Sequence, residues 1–423
     1  MSVTMTGKVE QPHTPVQDMA RARKWQLISL AVFSVVVMLS ALRVVTGADD
    51  IDSAGLISAA LASAVPIGLA ALGGLWSERA GVINIGLEGM MILGTWGAAY
   101  ATLTWGPWIG LLGGIVAGLL GAVIHALATV VFGVDHIVSG VAINVIAPGA
   151  AAYLASRTFA TMEGGGPTQS PPLEQVSRLS VPGIGEPLAD LEKQDIFFVS
   201  DLAGILRGLL TNLSAVTVIA VLLVVGSWWV LWRTPFGLRL RACGEGPVAA
   251  ETLGVNVARY KIIAVLISGG MAGLGGAFLA QIAAAAYREG QTGGRGYIGL
   301  AAMIFGNWRP GGLAGGALLF GYTDAARLRD AGNNIHALML LAVLLLFAVG
   351  VWQLVRKGKK LQGILAIAFA GLALVLYLTT DKVSSELAST TPYVVTLLVM
   401  GLASQRLRPP AAIGKIYRKG EGH

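Results

Sequence analysis

The chain of 423 residues is predicted to be an all-α integral membrane protein. The reading is a polytopic helical bundle with an inverted repeat, about 12 crossings and both termini cytoplasmic. Three observations predict it. Apolar residues make up 55% of the chain and charged ones only 13%, with a mean hydropathy of +0.70. A soluble domain carries about 25% charge, so this composition excludes a soluble enzyme or a disordered chain. Apolar runs near the span length of about 20 residues recur along the chain, and Lys and Arg gather on alternate connections. The formal net charge of +7 is therefore read as orientation signal, with no nucleic-acid partner. A single cysteine, Cys243, excludes an intrachain disulfide.

In order, the candidate spans are 27–45, 54–75, 84–103, 108–132, 137–156, 213–232, 262–285, 335–354, 361–379 and 392–404. They place a cytoplasmic tail at 1–26, a membrane domain at 27–404 and a second cytoplasmic tail at 405–423. The run 27–45 is longer than the roughly 7–15 residues of a signal-peptide core, so it is read as a retained anchor. Arg21, Arg23 and Lys24 put the first end inside, and Asp49, Asp50 and Asp52 follow outside. Stretch 297–326 is one long span or two short ones broken at Asn307-Trp308-Arg309-Pro310-Gly311. Two crossings return Arg356, Lys357, Lys359 and Lys360, and the basic tail Arg406–Lys419, to the cytoplasm, which the positive-inside rule favours. Loop 157–201 then lies outside and loop 233–261 inside. Trp105, Trp108, Trp228, Trp229 and Trp232 sit near span ends, as interfacial anchors do.

Ile85-Gly-Leu-Glu-Gly-Met-Met-Ile-Leu-Gly-Thr-Trp96 returns as Ile298-Gly-Leu-Ala-Ala-Met-Ile-Phe-Gly-Asn-Trp308, one residue shorter. The two copies run in opposite senses in this topology, as an inverted repeat requires. Gly110, Gly114 and Gly118 lie four apart, as do Gly269 and Gly273, Gly311 and Gly315, and Gly312 and Gly316, a spacing for close helix packing.

Catalytic signatures are lacking: no GxxxxGK[ST] loop, no HExxH, no CxxC and no GxSxG occurs. An enzyme, such as one modifying lipid, would need a cluster that the chain does not contain. Glu88 and His125 are the ionisable residues deep in confident spans. Glu88 either meets a passing solute or bonds a neighbouring helix to hold the bundle. Asn84, read as one turn earlier on the same face, joins it in the pathway set, with Asn144, Gln281 and Asn307 as further polar positions. No metal site and no bound cofactor are expected.

The inner loop offers a short helix from Pro247 through Ala249, Ala250 and Leu253, with Gly254 as its left-handed stop. Such a helix suits docking into another protein's groove, or it lies as a connector on the inner leaflet.

Four stretches carry a resemblance: Ser77-Glu-Arg-Ala-Gly-Val-Ile-Asn-Ile-Gly-Leu-Glu-Gly89, Leu240-Arg-Ala-Cys-Gly-Glu-Gly-Pro-Val-Ala-Ala-Glu-Thr-Leu-Gly254, Ser268-Gly-Gly-Met-Ala-Gly-Leu-Gly-Gly276 and Gly306-Asn-Trp-Arg-Pro-Gly-Gly312. On them the chain resembles permease subunits of bacterial ABC importers of the branched-chain amino acid and simple-sugar superfamily, nucleoside branch. The resemblance implies a pore subunit of the plasma membrane, with ATP and magnesium bound on a separate ATP-binding subunit. Gly244, Glu245, Ala249, Ala250, Leu253 and Gly254 then belong to the coupling segment. A second permease, forming a heterodimer, and a lipid-anchored or periplasmic-type substrate-binding protein would complete the importer within the membrane lipids. The alternatives within and outside the family are a branched-chain amino acid permease and a stand-alone secondary transporter. Between Asn334 and Pro392 the chain departs from the pattern, with 335–354 and 361–379 read as two inserted spans.

Overall fold

Within a bilayer a long apolar run can satisfy its backbone as a helix, and the long apolar runs among the described residues do so. The computed structural model describes residues 15–355, 360–380, 382–391, 394, 395, 397, 407–418 and 420. The first helices are α1 (Pro15–Thr46), α2 (Ala54–Arg79), α3 (Leu87–Trp105), α4 (Pro107–Ala126) and α5 (His136–Thr158). The connection that follows carries α6 (Gly185–Glu192) and α7 (Val199–Leu210), and leads to α8 (Ala215–Arg233). Next come α9 (Pro235–Glu245), α10 (Pro247–Thr252), α11 (Val257–Phe278), α12 (Arg295–Phe305), α13 (Pro310–Val355), α14 (Lys360–Thr379) and α15 (Ser385–Ser389). Helices α4 and α11 each end in a π-helical turn, Leu127–Val131 and Leu279–Ala283. The only sheet among the described residues joins Arg178–Leu179 to Leu213–Ser214. Seven helical stretches among the described residues are long and apolar enough to cross a membrane.

Several boundaries differ from the sequence reading. The span placed at 84–103 begins as a helix only at Leu87, because 80–86 is a turn in which Gly81 is left-handed (φ 86°). Stretch 297–326 is broken where proposed: α12 ends at Phe305, Asn307 and Trp308 both take φ 52°, and Pro310 opens α13. The stretch Pro310–Val355 is two helices joined across a kink at the non-helical Asp330 (φ −141°, ψ 82°), so residues 335–354 lie in a helical arm of their own, the second arm of α13. At 46 residues α13 would reach about 69 Å unbroken, more than twice the hydrocarbon thickness, so the break divides it into two arms of span length. Most of the 392–404 stretch and the basic residues Arg356, Lys357, Lys359, Arg406 and Lys419 lie outside the described residues.

The core has a reciprocal design. Helices α3 and α4 pack on α11, while α12 and the first arm of α13 pack on α2, and α2 packs on α11. Glycine permits each close approach. A Cβ on Gly118 would lie 2.3 Å from the Gly269 carbonyl oxygen, and one on Gly276 would lie 2.1 Å from that of Met91. On the other side, one on Gly321 would lie 2.5 Å from the Ala60 oxygen, and one on Gly299 2.7 Å from Ala70 Cβ. Gly312 is pressed on Gly306 in the same way, whereas Gly311 and Gly315 meet nothing within 4 Å.

The second arm of α13 and α14 form a hairpin beside this core. Gly350 and Gly363 let the two helices touch, and His336 stacks on Tyr377 at 4.2 Å. Leu344, Phe347, Trp352 and Phe369 project outward, each more than half exposed.

The connections sort into two sets. In one, Arg329 pairs with Asp50 at 2.9 Å, Glu192 accepts from the Ala54 amide at 3.1 Å, the Ser170 amide donates to Tyr287 O, and the Val383 amide to Gly332 O. In the other, Arg79 donates to the Trp308 carbonyl, and residues 407–418 bond to Gly81, Gly244 and Asn307.

Candidate functional site

Helices α3 and α12 meet first turn to first turn, and Glu88 makes the joint. Its Oε1 accepts from the Gly294 amide at 3.0 Å and its Oε2 from the Gly296 amide at 2.6 Å. The first N–H groups of a helix have no partner inside it and carry its positive end, so a carboxylate there is doubly favoured. The chain has to be glycine here. Gly294 is left-handed at φ 80°, and a Cβ on Gly296 would sit 2.6 Å from Glu88 Cα.

Asn144 of α5 brackets the same helix start. Its Nδ2 donates to Ile85 O at 2.9 Å and its Oδ1 accepts from the Gly89 amide at 2.8 Å. Tyr297, 47% exposed in the first turn of α12, borders both Glu88 and Asn144. Asn84 is fully buried, and its Nδ2 donates to Ser268 Oγ on α11 at 2.9 Å while its Oδ1 has no protein partner. The helical-face argument for Asn84 does not hold, because it precedes α3 in the turn. Its side chain is turned to Ser268 of α11 and to Met90 Sδ.

Residues 80–86 are pinned by histidines. His125 Nε2 contacts Ile83 O at 2.9 Å, which leaves Nδ1 to accept from Ser139 Oγ at 2.9 Å, and His136 Nδ1 accepts from the Ile83 amide at 3.3 Å. The loop leading to Glu88 is thereby fixed at its middle.

Two expected pathway residues lie elsewhere. Gln281, buried in the π-helical turn after α11, donates to Thr102 Oγ1 and to Pro107 O, at the far end of α3 from Glu88. Asn307 sits in the α12–α13 break, where its Oδ1 accepts from the Arg408 amide at 2.7 Å. The structure therefore brings Glu88 and Asn144 together at the first turn of α3, and gives Asn84, Gln281 and Asn307 other partners. A polar residue in an apolar run signals a buried partner, but not which one.

A second group gathers around α9 and α10. Gly244 fits against α2, where a Cβ would lie 2.2 Å from Arg79 O, and Glu245 pairs with Arg79 at 3.7 Å. Helix α10 opens at Pro247 and stops at Gly254 (φ 81°), whose amide bonds Glu251 O, while the Val255 amide bonds Ala250 O. These two bonds satisfy the last carbonyls of the helix. Ala250 is buried, Ala249 is exposed and Leu253 is 84% exposed, so α10 offers an apolar tip.

Sequence reasoning missed how α2 ends. Arg79 Nε and its terminal nitrogen both donate to Trp308 O, at 3.0 and 2.6 Å, and Trp308 Nε1 donates to Glu78 Oε2 at 2.6 Å. The adjacent acid and base closing an apolar run were the available signal.

The family model described as the branched-chain amino acid transport system / permease component matches residues 56–349, ending within the second arm of α13. The guanosine ABC transporter permease protein NupQ of Bacillus subtilis is 38% identical over 279 residues, 64% of this chain and 81% of that protein. The nucleoside ABC transporter permease protein NupC of Lactococcus lactis is 36% identical over 273 residues, 63% of this chain and 80% of that protein. A putative glucose ABC transporter permease protein of Haloferax volcanii, TsgC13, is 30% identical over 373 residues, 87% of this chain and 98% of that protein. No solved structure matches the chain.

Proposed function

Since the chain belongs to the family of permease components of the branched-chain amino acid transport system, we propose that it is the membrane-spanning subunit of an ATP-driven importer for nucleosides. ATP and magnesium are bound by a separate subunit, which meets the membrane subunit at α9 and α10. A second permease and a substrate-binding protein complete the assembly, in a bacterial plasma membrane. The single observation that carries the reading is the Glu88 joint. A short helix such as α12, broken off at Asn307 and meeting another helix by its first turn, is the kind of discontinuity at which transporters place a solute site near the bilayer midplane. Glu88 and Asn144 are the polar groups a hydroxylated solute would meet there.

The topology that goes with this function has about 12 crossings and both termini inside. The division of the connections into two mutually bonded sets supports it, and so does the reciprocal packing of α2–α4 with α11–α13. Identity to the guanosine and nucleoside permeases favours nucleosides. A sugar is the second reading, favoured by the glucose permease relative that matches over nearly its whole length.

The test is uptake of radiolabelled guanosine and glucose by proteoliposomes holding this chain with its ATP-binding subunit, second permease and binding protein. ATP-dependent guanosine accumulation supports the proposal. Accumulation driven by an ion gradient with this chain alone would make it a secondary transporter instead.

A further inference from the structure

The segment 407–418 lies beyond the stretch that the family model matches, yet it is tied to every element of the inner group. The Arg408 amide donates to Asn307 Oδ1 at 2.7 Å, the Ala411 amide to Glu245 Oε2 at 3.1 Å, the Ala412 amide to Gly244 O at 2.9 Å and the Gly414 amide to Gly81 O at 3.1 Å. Side chains reinforce these bonds. Ala412 is buried, Ile413 packs on the main apolar cluster, and Tyr417 lies over Lys261 (5.8 Å from ring centroid to Nζ) and against Glu251 of α10.

The partners of this segment share a mechanical relation. Gly244, Glu245 and Glu251 belong to α9 and α10. Gly81 is in the turn that leads, seven residues on, to Glu88. Asn307 is in the break that ends α12, eleven residues after Gly296. The turn before α3 and the break after α12 are therefore each held at their inner side by one strap, and the same strap grips α9 and α10.

We propose that residues 407–418 are a coupling clasp that carries displacement of α9 and α10 to α3 and α12, the helices meeting at Glu88. The clasp acts by positioning and touches no solute. It rests on the reading of α9 and α10 as the segment that meets the ATP-binding subunit. Backbone amides make the grip, so side-chain chemistry is needed only at its end, in Tyr417.

Ala411 is the second residue of the turn closed by the Ile413 amide on Pro410 O, a position that accepts proline. Ala411→Pro thus removes the donor to Glu245 without distorting the turn, and Tyr417→Ala removes the hold on Glu251 and Lys261. The experiment measures guanosine taken up per ATP hydrolysed in the reconstituted importer. The double variant is expected to keep solute-stimulated ATP hydrolysis while uptake per ATP falls about tenfold, on the order of what one or two lost hydrogen bonds supply. Tyr417→Ala alone is expected to lower the ratio less. An unchanged ratio overturns the clasp. Loss of assembly with the ATP-binding subunit also overturns it, because the segment would then be structural only. If the unaltered importer shows no ATP-dependent uptake, the permease reading falls, and the clasp with it.

Discussion

Glu88 caps the start of α12 with both carboxyl oxygens, each accepting from one backbone amide. A hydrogen bond to a charged group contributes about 1.5–3 kcal/mol, and Glu88→Gln surrenders the charge and one acceptor. Its expected outcome is a melting temperature in detergent lowered by several degrees, with uptake of the transported solute reduced as well. An unchanged melting temperature would show that the carboxylate does not hold the start of α12. Asp52, in the α1–α2 connection, makes a different case. Burial first, and then the neighbouring Asp201, push its carboxyl up to about 7, with the Arg43 guanidinium opposing. The folded state therefore keeps a proton that the unfolded chain gives up near pH 4. Stability falls as pH rises from about 4 to 7 and levels off above that. Asp52→Asn, which keeps a hydrogen-bond donor toward Asp201, should flatten this slope and raise stability at pH 8. A slope that persists in the variant would assign it to another group.

Among the elements, α4 and α11 approach closely through glycines that were visible as a spacing of four. Gly118→Val would drive its side chain into the Gly269 carbonyl and the Gly273 backbone. The expected result is loss of monodisperse protein after detergent extraction, whereas Gly315→Val, at a position with nothing within 4 Å, should extract normally. Equal yields would remove the packing role. This contrast also marks how far the sequence was legible. Apolar length located most helices, Pro247 and Gly254 bounded α10, and the Asn307–Gly311 run located the α12–α13 break. Partners across the bundle were not legible. The cap on α12 comes from a carboxylate 206 and 208 residues away, a distance no local pattern encodes. Gln281 and Asn307 looked like pathway residues for the same reason: polarity within an apolar run shows that a partner exists, while the tertiary fold chooses it. The second arm of α13 was legible as a separate span, and the non-helical Asp330 divides it from the first.

For the whole molecule, the two bonded sets of connections make a topology that can be tested point by point. Residues 180 and 382 belong with the Asp50–Arg329 set, and residues 252 and 309 with the Arg79–Trp308 set; all four are exposed. The chain is suited to cysteine scanning, since its one thiol, Cys243, is buried and pushed up to about 11 by that burial. Only a thiolate reacts readily, so at pH 7 the native background is low. Single cysteines at Ser180 and Lys382 should react with an impermeant maleimide in intact cells, and cysteines at Thr252 and Arg309 only after permeabilisation. Position 382 carries the most information. It follows α14, while the segment 407–418 bonds to the opposite set. If residue 382 is labelled only after permeabilisation, an odd number of crossings separates the α1–α2 connection from α15. The second arm of α13 and α14 would then not form a pair of opposed crossings. Labelling from outside instead is the outcome expected if those two helices cross as an even pair, which adds surface to the bundle and returns the chain to the side of Asp50 and Arg329.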